Sequence, residues 1–181
     1  MNTKTDLSSP IGGQGANLGC IFLIGFMGCG KTYWGKKWAD HSGLTFVDLD
    51  EIVEAQQDRT AAQIFAEDGE DHFRDLETAA LKSFSGNNII ATGGGTPCYN
   101  DNINWMNNHG TAIYLLSSPQ NIFSRLVNET KKRPLIQHLQ GEELLFYITE
   151  KIKEREFFYR QAGLILNVDD FAEDYIPAII K

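Results

Sequence analysis

Hydrophobic and polar positions along the chain fall into two alternating periodicities. Residues 20–24 form an unbroken apolar run between Gly19 and Gly25, as a strand buried on both faces requires. Shorter β-like runs follow at 44–48, 88–92, 111–116 and 164–168, each separated from the next by helix-patterned sequence of helical length. Strands alternating with helices predict an α/β fold, a three-layer α/β/α domain around a mainly parallel five-stranded sheet. No repeat of 20–50 residues is visible.

Two helical segments carry more than periodicity. Thr60 with Gln63 fits a capping box, opening a helix that Gly69 interrupts. From 71 to 84 the pattern continues with Phe73, Leu76, Ala80 and Phe84 on one stripe, which predicts a single inner face. Over 142–160, Leu144, Leu145, Ile148, Ile152, Arg155 and Tyr159 share a stripe, so Arg155 falls on the face that otherwise seeks the core. A guanidinium placed there needs a partner.

The 181 residues suit one domain, and 42% hydrophobic with 22% charged residues is a globular composition. We read residues 1–18 as a flexible leader, since Ser8, Ser9, Pro10 and the nearby glycines bring little apolar surface, and 19–181 as a single domain. The net charge of −8 disfavours non-specific attraction to nucleic acid or anionic lipid, so an anionic ligand must meet a local basic cluster. No apolar run approaches the length of a membrane span. Three cysteines, Cys20, Cys29 and Cys98, form neither an even set nor a C-x-x-C pair, which points to a reducing cytoplasm rather than a disulfide framework or zinc site. The four histidines show no metal-ligand spacing.

Residues 25–32 read GFMGCGKT and satisfy G-x-x-x-x-G-K-[ST] through Gly25, Gly30, Lys31 and Thr32. Chance would produce the pattern somewhere in such a chain with a probability on the order of 0.01, and its place between strand and helix lowers that further. Gly28, Cys29 and Gly30 let backbone N–H groups converge on phosphate oxygens, Lys31 reaches the β- and γ-phosphates of ATP, and the Thr32 hydroxyl ligates Mg²⁺. A plain tight turn would explain the glycines but not the lysine. Cys29 reads as a small space-filler rather than a redox switch. Asp48 and Asp50 lie two apart at a predicted strand end, so both face one side if strand geometry persists; alternatively, either one caps the next helix.

Behind the loop come Phe46-Val47-Asp48-Leu49-Asp50, His72-Phe73-Arg74-Asp75-Leu76-Glu77, Gly93-Gly94-Gly95, Arg133-Pro134-Leu135, and Arg155 four before Tyr159. In order and approximate spacing this set resembles the shikimate kinase family over about residues 19–170. The resemblance implies a nucleoside-monophosphate-kinase-like fold that transfers the γ-phosphoryl of ATP to the 3-hydroxyl of shikimate with Mg²⁺. It implies that Asp48 holds the metal through water, and that Asp50 binds the substrate hydroxyl and accepts its proton. By the same resemblance Arg74, oriented by Glu77, and Arg155 grip the substrate carboxylate, and Gly93, Gly94 and Gly95 approach its hydroxyls or the γ-phosphate. Helices over about 50–84 bind substrate, a mobile lid over about 129–140 brings Arg133 onto the phosphates, and Arg125 lies against adenine.

Read without the resemblance, Arg74 and Glu77 are an ordinary i,i+3 surface pair and Glu129 to His138 is a solvated loop. Tyr33 and Trp34 depart from the family, where a small hydroxyl residue commonly follows the loop threonine. The expected partners are ATP and shikimate, with no nucleic acid and no membrane, acting on a cytoplasmic monomer. Two other functions fit the motifs: another small-molecule kinase of this fold, such as a gluconate kinase, and a regulatory domain that binds ATP without turnover.

Overall fold

The computed structural model describes residues 19–130 and 135–180. Its core is a five-stranded sheet in the order β2-β3-β1-β4-β5, formed by Thr45–Asp48, Asn88–Ala91, Cys20–Ile24, Gly110–Leu116 and Leu164–Asn167 respectively. Every neighbouring pair is parallel. The strand ends move by at most one residue from the sequence reading. All five residues of β1 are buried, because this central strand has a core on each side.

The two cores follow the period of two along β1. Ile21 and Leu23 face a layer containing Trp38 of α1 (Lys31–Ser42), Ile122 of α6 (Pro119–Leu126) and Ile148 of α7 (Gly141–Tyr159). Phe22 and Ile24 face α2 (Leu49–Gln57), α3 (Ala61–Glu67), α4 (Gly69–Lys82) and α5 (Asn102–His109) through Leu49, Ile64, Phe73 and Met106. Helix α7 belongs to both layers: Leu144, Ile148 and Ile152 pack in the first, and Tyr159 in the second. Arg155 sits between them, where the helix passes from one layer to the other. This accounts for a charge on its apolar stripe.

The Thr60–Gln63 capping box forms as the sequence predicts. Helix α4, however, starts at Gly69 rather than 71, and it does not present a single inner face. Arg74, Glu77 and Thr78 are buried beside Phe73 and Ala80, so a second, polar stripe is packed against the loop after β3. Asp48 ends β2, and its carboxylate accepts a hydrogen bond from Asp50 N at 3.2 Å, capping α2. The strand geometry expected to carry Asp48 and Asp50 to one side therefore stops at Asp48, and Asp50 lies in the first turn of a helix.

Of the expected lid, residues 131–134 lie outside the described residues, as does the leader 1–18. Ile136 is wholly buried in the first core, which fixes where the chain resumes. Trp38 donates its indole N–H to Tyr175 O at 3.0 Å, and Phe171 stacks on Tyr175 at 3.9 Å, closing the C-terminal segment over α1.

Candidate active site

Parallel register brings the chemistry together. Leu23 pairs with Ala91, and Ala91 with Asp48, so β1, β3 and β2 end side by side at one sheet edge. The glycine-rich loop, the triple-glycine turn and α2 leave from those three ends, where open α/β sheets bind ligands. A cavity of about 830 Å³ over the loop is bounded by Lys31, Thr32, Asp48 and Arg125. A second, of about 460 Å³, is bounded by Arg74, Glu77, Gly95 and Arg155. Asp50, Met27, Gly93 and Gly94 belong to both, and form the wall across which two ligands would meet.

In the first cavity, Gly28 and Gly30 have φ of +79° and +102°, a left-handed backbone that few other residues adopt. A Cβ on Gly28 would also lie 2.9 Å from Leu126 Cγ. The Lys31 ammonium donates to Gly25 O at 2.7 Å and Phe26 O at 3.1 Å, which folds the side chain back over its own loop. Cys29 is buried in the first core, the space-filling role its size suggests. Thr32 Oγ1 donates to Asp48 Oδ2 at 3.1 Å. Asp48 thus caps α2 with one oxygen and meets Thr32 with the other. Arg125 donates to Gly28 O at 3.2 Å, and its guanidinium lies 3.6 Å from Asp169. Tyr33 is exposed at the rim, whereas Trp34 turns into the core, 5.0 Å edge-on from Phe171.

In the second cavity, the Arg74–Glu77 pair is no surface bridge: Glu77 is fully buried, and the Nη1–Oε2 distance is 3.0 Å. Glu70 takes the other edge of the guanidinium, with Nη2–Oε1 at 3.0 Å, and the Tyr99 ring lies 4.6 Å from its centre. Arg155 is half-buried, 5.8 Å from the Phe26 ring, with no carboxylate within 4.0 Å among the described residues. Its charge faces the cavity, with Glu77 and Glu70 acting on it only from beyond ion-pair distance. The triple-glycine turn cannot carry side chains: a Cβ on Gly93 would stand 2.3 Å from Glu77 Oε1 and 2.9 Å from Asp50 Oδ1, and one on Gly95 2.6 Å from Arg74 Nη2.

Burial pushes Asp50 up to about 6, aided by the negative charges of Glu77 and Asp48 and opposed by Lys31 and Arg74. The residue is exposed toward both cavities, so this desolvation is partial. Burial also raises Glu77, more than Arg74 and Thr96 lower it. For Glu70 partial burial acts upward, but hydrogen bonds from Arg74 and Tyr99 outweigh it and hold the carboxyl low. Burial lifts the Cys98 thiol to about 11, leaving it un-ionised and unreactive near neutral pH.

Lys31, Thr32, Asp48, Asp50, Arg74, Arg125, Arg155 and all three glycines therefore converge on one pair of cavities. Arg133 lies outside the described residues. Sequence reasoning missed Thr96 and Tyr99, which reach Glu77 and Arg74 from a turn whose spacing carries no periodic signal, and Glu70, whose i,i+4 spacing to Arg74 on α4 was the available sign. Tyr159 was visible as a stripe residue four beyond Arg155, but its hydrogen bond to Gly94 was not.

Thr32 and Asp48 offer two hard oxygens beside the phosphate loop. That suits Mg²⁺, which takes one or two protein ligands and completes its shell with phosphates and water. Among the described residues there is no group of three or more His, Cys, Asp or Glu placed to hold a metal unaided, and no helix long and apolar enough to cross a membrane.

Comparison with known proteins adds independent findings. The family model for shikimate kinase matches residues 27–179. A shikimate kinase of Phocaeicola vulgatus is 39% identical over 155 residues, spanning 84% of this chain and 89% of that protein. That of Caldanaerobacter subterraneus is 40% identical over 168 residues, spanning 89% and 96%. Among solved structures, shikimate kinase from Bacteroides thetaiotaomicron superposes with a TM-score of 0.80 at 38% identity, covering 85% of this chain and 89% of the other. The Acinetobacter baumannii enzyme in complex with shikimate gives 0.77 at 31% identity, covering 87% of each. A gluconokinase from Sinorhizobium meliloti, at 16% identity and a TM-score of 0.51, shares the fold alone.

Proposed function

The chain belongs to the shikimate kinase family, and on that premise we propose that it moves the γ-phosphoryl group of ATP to the 3-hydroxyl of shikimate using the residues that line its two cavities. The observation that carries the assignment is the position of Asp50, the one carboxylate that lines both. ATP phosphates lie on the glycine-rich loop, and shikimate occupies the cavity of Arg74 and Arg155.

Arg74 and Arg155 grip the acceptor carboxylate, since two guanidinium groups from different helices fix both the charge and the plane of a carboxylate. Glu77 and Glu70 hold Arg74 at two edges, so its orientation is set before substrate arrives. Asp50 accepts the hydrogen bond of the 3-hydroxyl. As the hydroxyl oxygen bonds to the γ-phosphorus, the bond from that phosphorus to the β–γ bridging oxygen breaks, ADP leaves, and the hydroxyl proton passes to Asp50. A carboxyl pushed up to about 6 is ionised at neutral pH yet basic enough to take that proton. Lys31 leaves the loop carbonyls for the β- and γ-phosphates and, with the N-terminus of α1, stabilises the charge that grows there. Bound Mg²⁺, held by Thr32 and by Asp48 through water, would neutralise phosphate charge. We assign Arg133 the same task from the lid side and Arg125 the nucleotide side, on resemblance and on the contact of Arg125 with Gly28 O.

Both cavities are built from one chain, which suits a working monomer, and three free thiols suit a reducing cytoplasm. Gluconate also carries a carboxylate, so ADP release should be measured with ATP, Mg²⁺ and a panel of hydroxy acids. Turnover with shikimate and none with gluconate is expected. Turnover with gluconate but not shikimate, or ATP binding without ADP release from any acceptor, would overturn the reading.

A further inference from the structure

Thr96 opens a short 3₁₀ turn directly behind the triple glycine and is fully buried. Its hydroxyl donates to Glu77 Oε1 of α4, and it also lies 3.0 Å from Gly93 O in the turn. No other side-chain hydroxyl among the described residues reaches Glu77. The Thr96 backbone is itself pinned: Asn102 Nδ2 of α5 donates to Thr96 O at 3.0 Å and, equally, to Thr78 Oγ1 of α4. The same Glu77 carboxylate accepts from Arg74 through its other oxygen. One hydroxyl therefore joins the glycine turn, on one side of the acceptor cavity, to the Glu77–Arg74 pair on the other.

We propose that Thr96 is a positioning residue for the acceptor: through Glu77 it holds Arg74 in register with the glycine turn. The groups facing Glu77 are Arg74 on its own helix, Asp50 on α2, Arg155 on α7, and Thr96 with Gly93 in the turn. Losing the hydroxyl removes a donor that favours ionised Glu77. Glu77 also loses the contact that ties it to the turn, so Arg74 is gripped less firmly and the acceptor is held more weakly.

The inference rests on the acceptor-site assignment above, which turnover of shikimate by the unaltered protein tests separately. Thr96→Val, close in shape and lacking the hydroxyl, should raise the KM for shikimate about 5- to 10-fold while leaving the KM for ATP within about twofold. Thr96→Ser, which keeps the hydroxyl, should restore the shikimate KM. If the valine does not fold, Thr96→Ala supplies the same readout without risk of overpacking. An unchanged shikimate KM, a parallel rise in both KM values, or failure of the serine to rescue would each overturn the proposal.

Discussion

The Tyr159 hydroxyl donates to Gly94 O at 2.6 Å, one helical turn beyond Arg155 on the same face of α7. This bond ties the end of the longest helix to the glycine turn at the sheet edge, and so fixes the height at which Arg155 enters the acceptor cavity. Tyr159 is fully buried and packs 5.0 Å from Tyr114, and its burial raises the phenol far above its ordinary range. It acts as a permanent donor, not an acid.

Tyr159→Phe should therefore keep the packing and lose the hydroxyl, with its donation to Gly94 O and its contact with the Arg155 guanidinium. A buried acceptor left unmade costs about 1–3 kcal/mol, which denaturant unfolding will register as a lower midpoint at unchanged slope. The KM for shikimate should rise while that for ATP stays put. A stability loss with no change in shikimate KM would limit the bond to packing.

Gly93→Ala tests the opposite limit, added bulk rather than lost contact. The new methyl would overlap Glu77 Oε1, which is fully buried, and crowd Asp50 Oδ1 at the wall between the two cavities. Overpacking of this kind costs about 1–3 kcal/mol, and displacement of the proton acceptor by about 1 Å should lower kcat by about 100-fold. ATP binding by calorimetry should persist. Activity near that of the unaltered protein would show that the turn stands clear of the reacting groups.

Much of this arrangement was legible in the sequence, and the reasons are local. The buried run 20–24, the GFMGCGKT loop and the Thr60–Gln63 box are written in adjacent residues, so spacing alone places them. Asp50 was found, but whether it faces the same side as Asp48 stayed open, because nothing in D-L-D tells a strand that continues from a helix capped by Asp48. The burial of Glu77 was hidden for another reason. A charged residue three from an arginine reads as solvated until the loop after β3 covers it, and that covering is a contact across 19 residues of chain. Thr96 and Tyr159 are of the same kind: their roles exist only where separate segments meet.

Asp50 links activity to pH. Its carboxyl lies at about 6 against an ordinary 3.8, so kcat/KM for shikimate should fall on an acid limb near pH 6. The sign for stability is opposite. A carboxyl raised on folding contributes most below the unfolded value of 3.8, and that contribution is lost as pH rises through about 6. Asp50→Asn should therefore be more stable than the unaltered protein at pH 8, by about 1 kcal/mol once solvent access is discounted, with the gain vanishing toward pH 4. It should bind ATP and turn over slowly. A thermal midpoint that falls at pH 8 would contradict the placement of this charge.

Arg155 is the acceptor-site cation with no carboxylate within 4.0 Å among the described residues, whereas Arg74 is already held by two. An incoming carboxylate should accordingly gain most from Arg155. Hydrogen bonds to a charged group contribute roughly 1.5–3 kcal/mol, so Arg155→Ala should weaken shikimate about 10- to 150-fold and leave ATP nearly unchanged. Arg155→Lys should recover only part of this, because an ammonium keeps the charge and loses the two-pronged geometry. The fold should tolerate both changes, since among the described residues the guanidinium makes no ion pair within 4.0 Å and meets the core at the Phe26 ring, 5.8 Å away, and at the Tyr159 hydroxyl. An analogue of shikimate lacking the carboxylate separates binding from support: it never makes the contact, so its already weak turnover should be insensitive to the substitution. Equal penalties for shikimate and the analogue would mean that Arg155 shapes the cavity through Phe26 and Gly94 rather than holding the acid, and the assignment of the second arginine would fall.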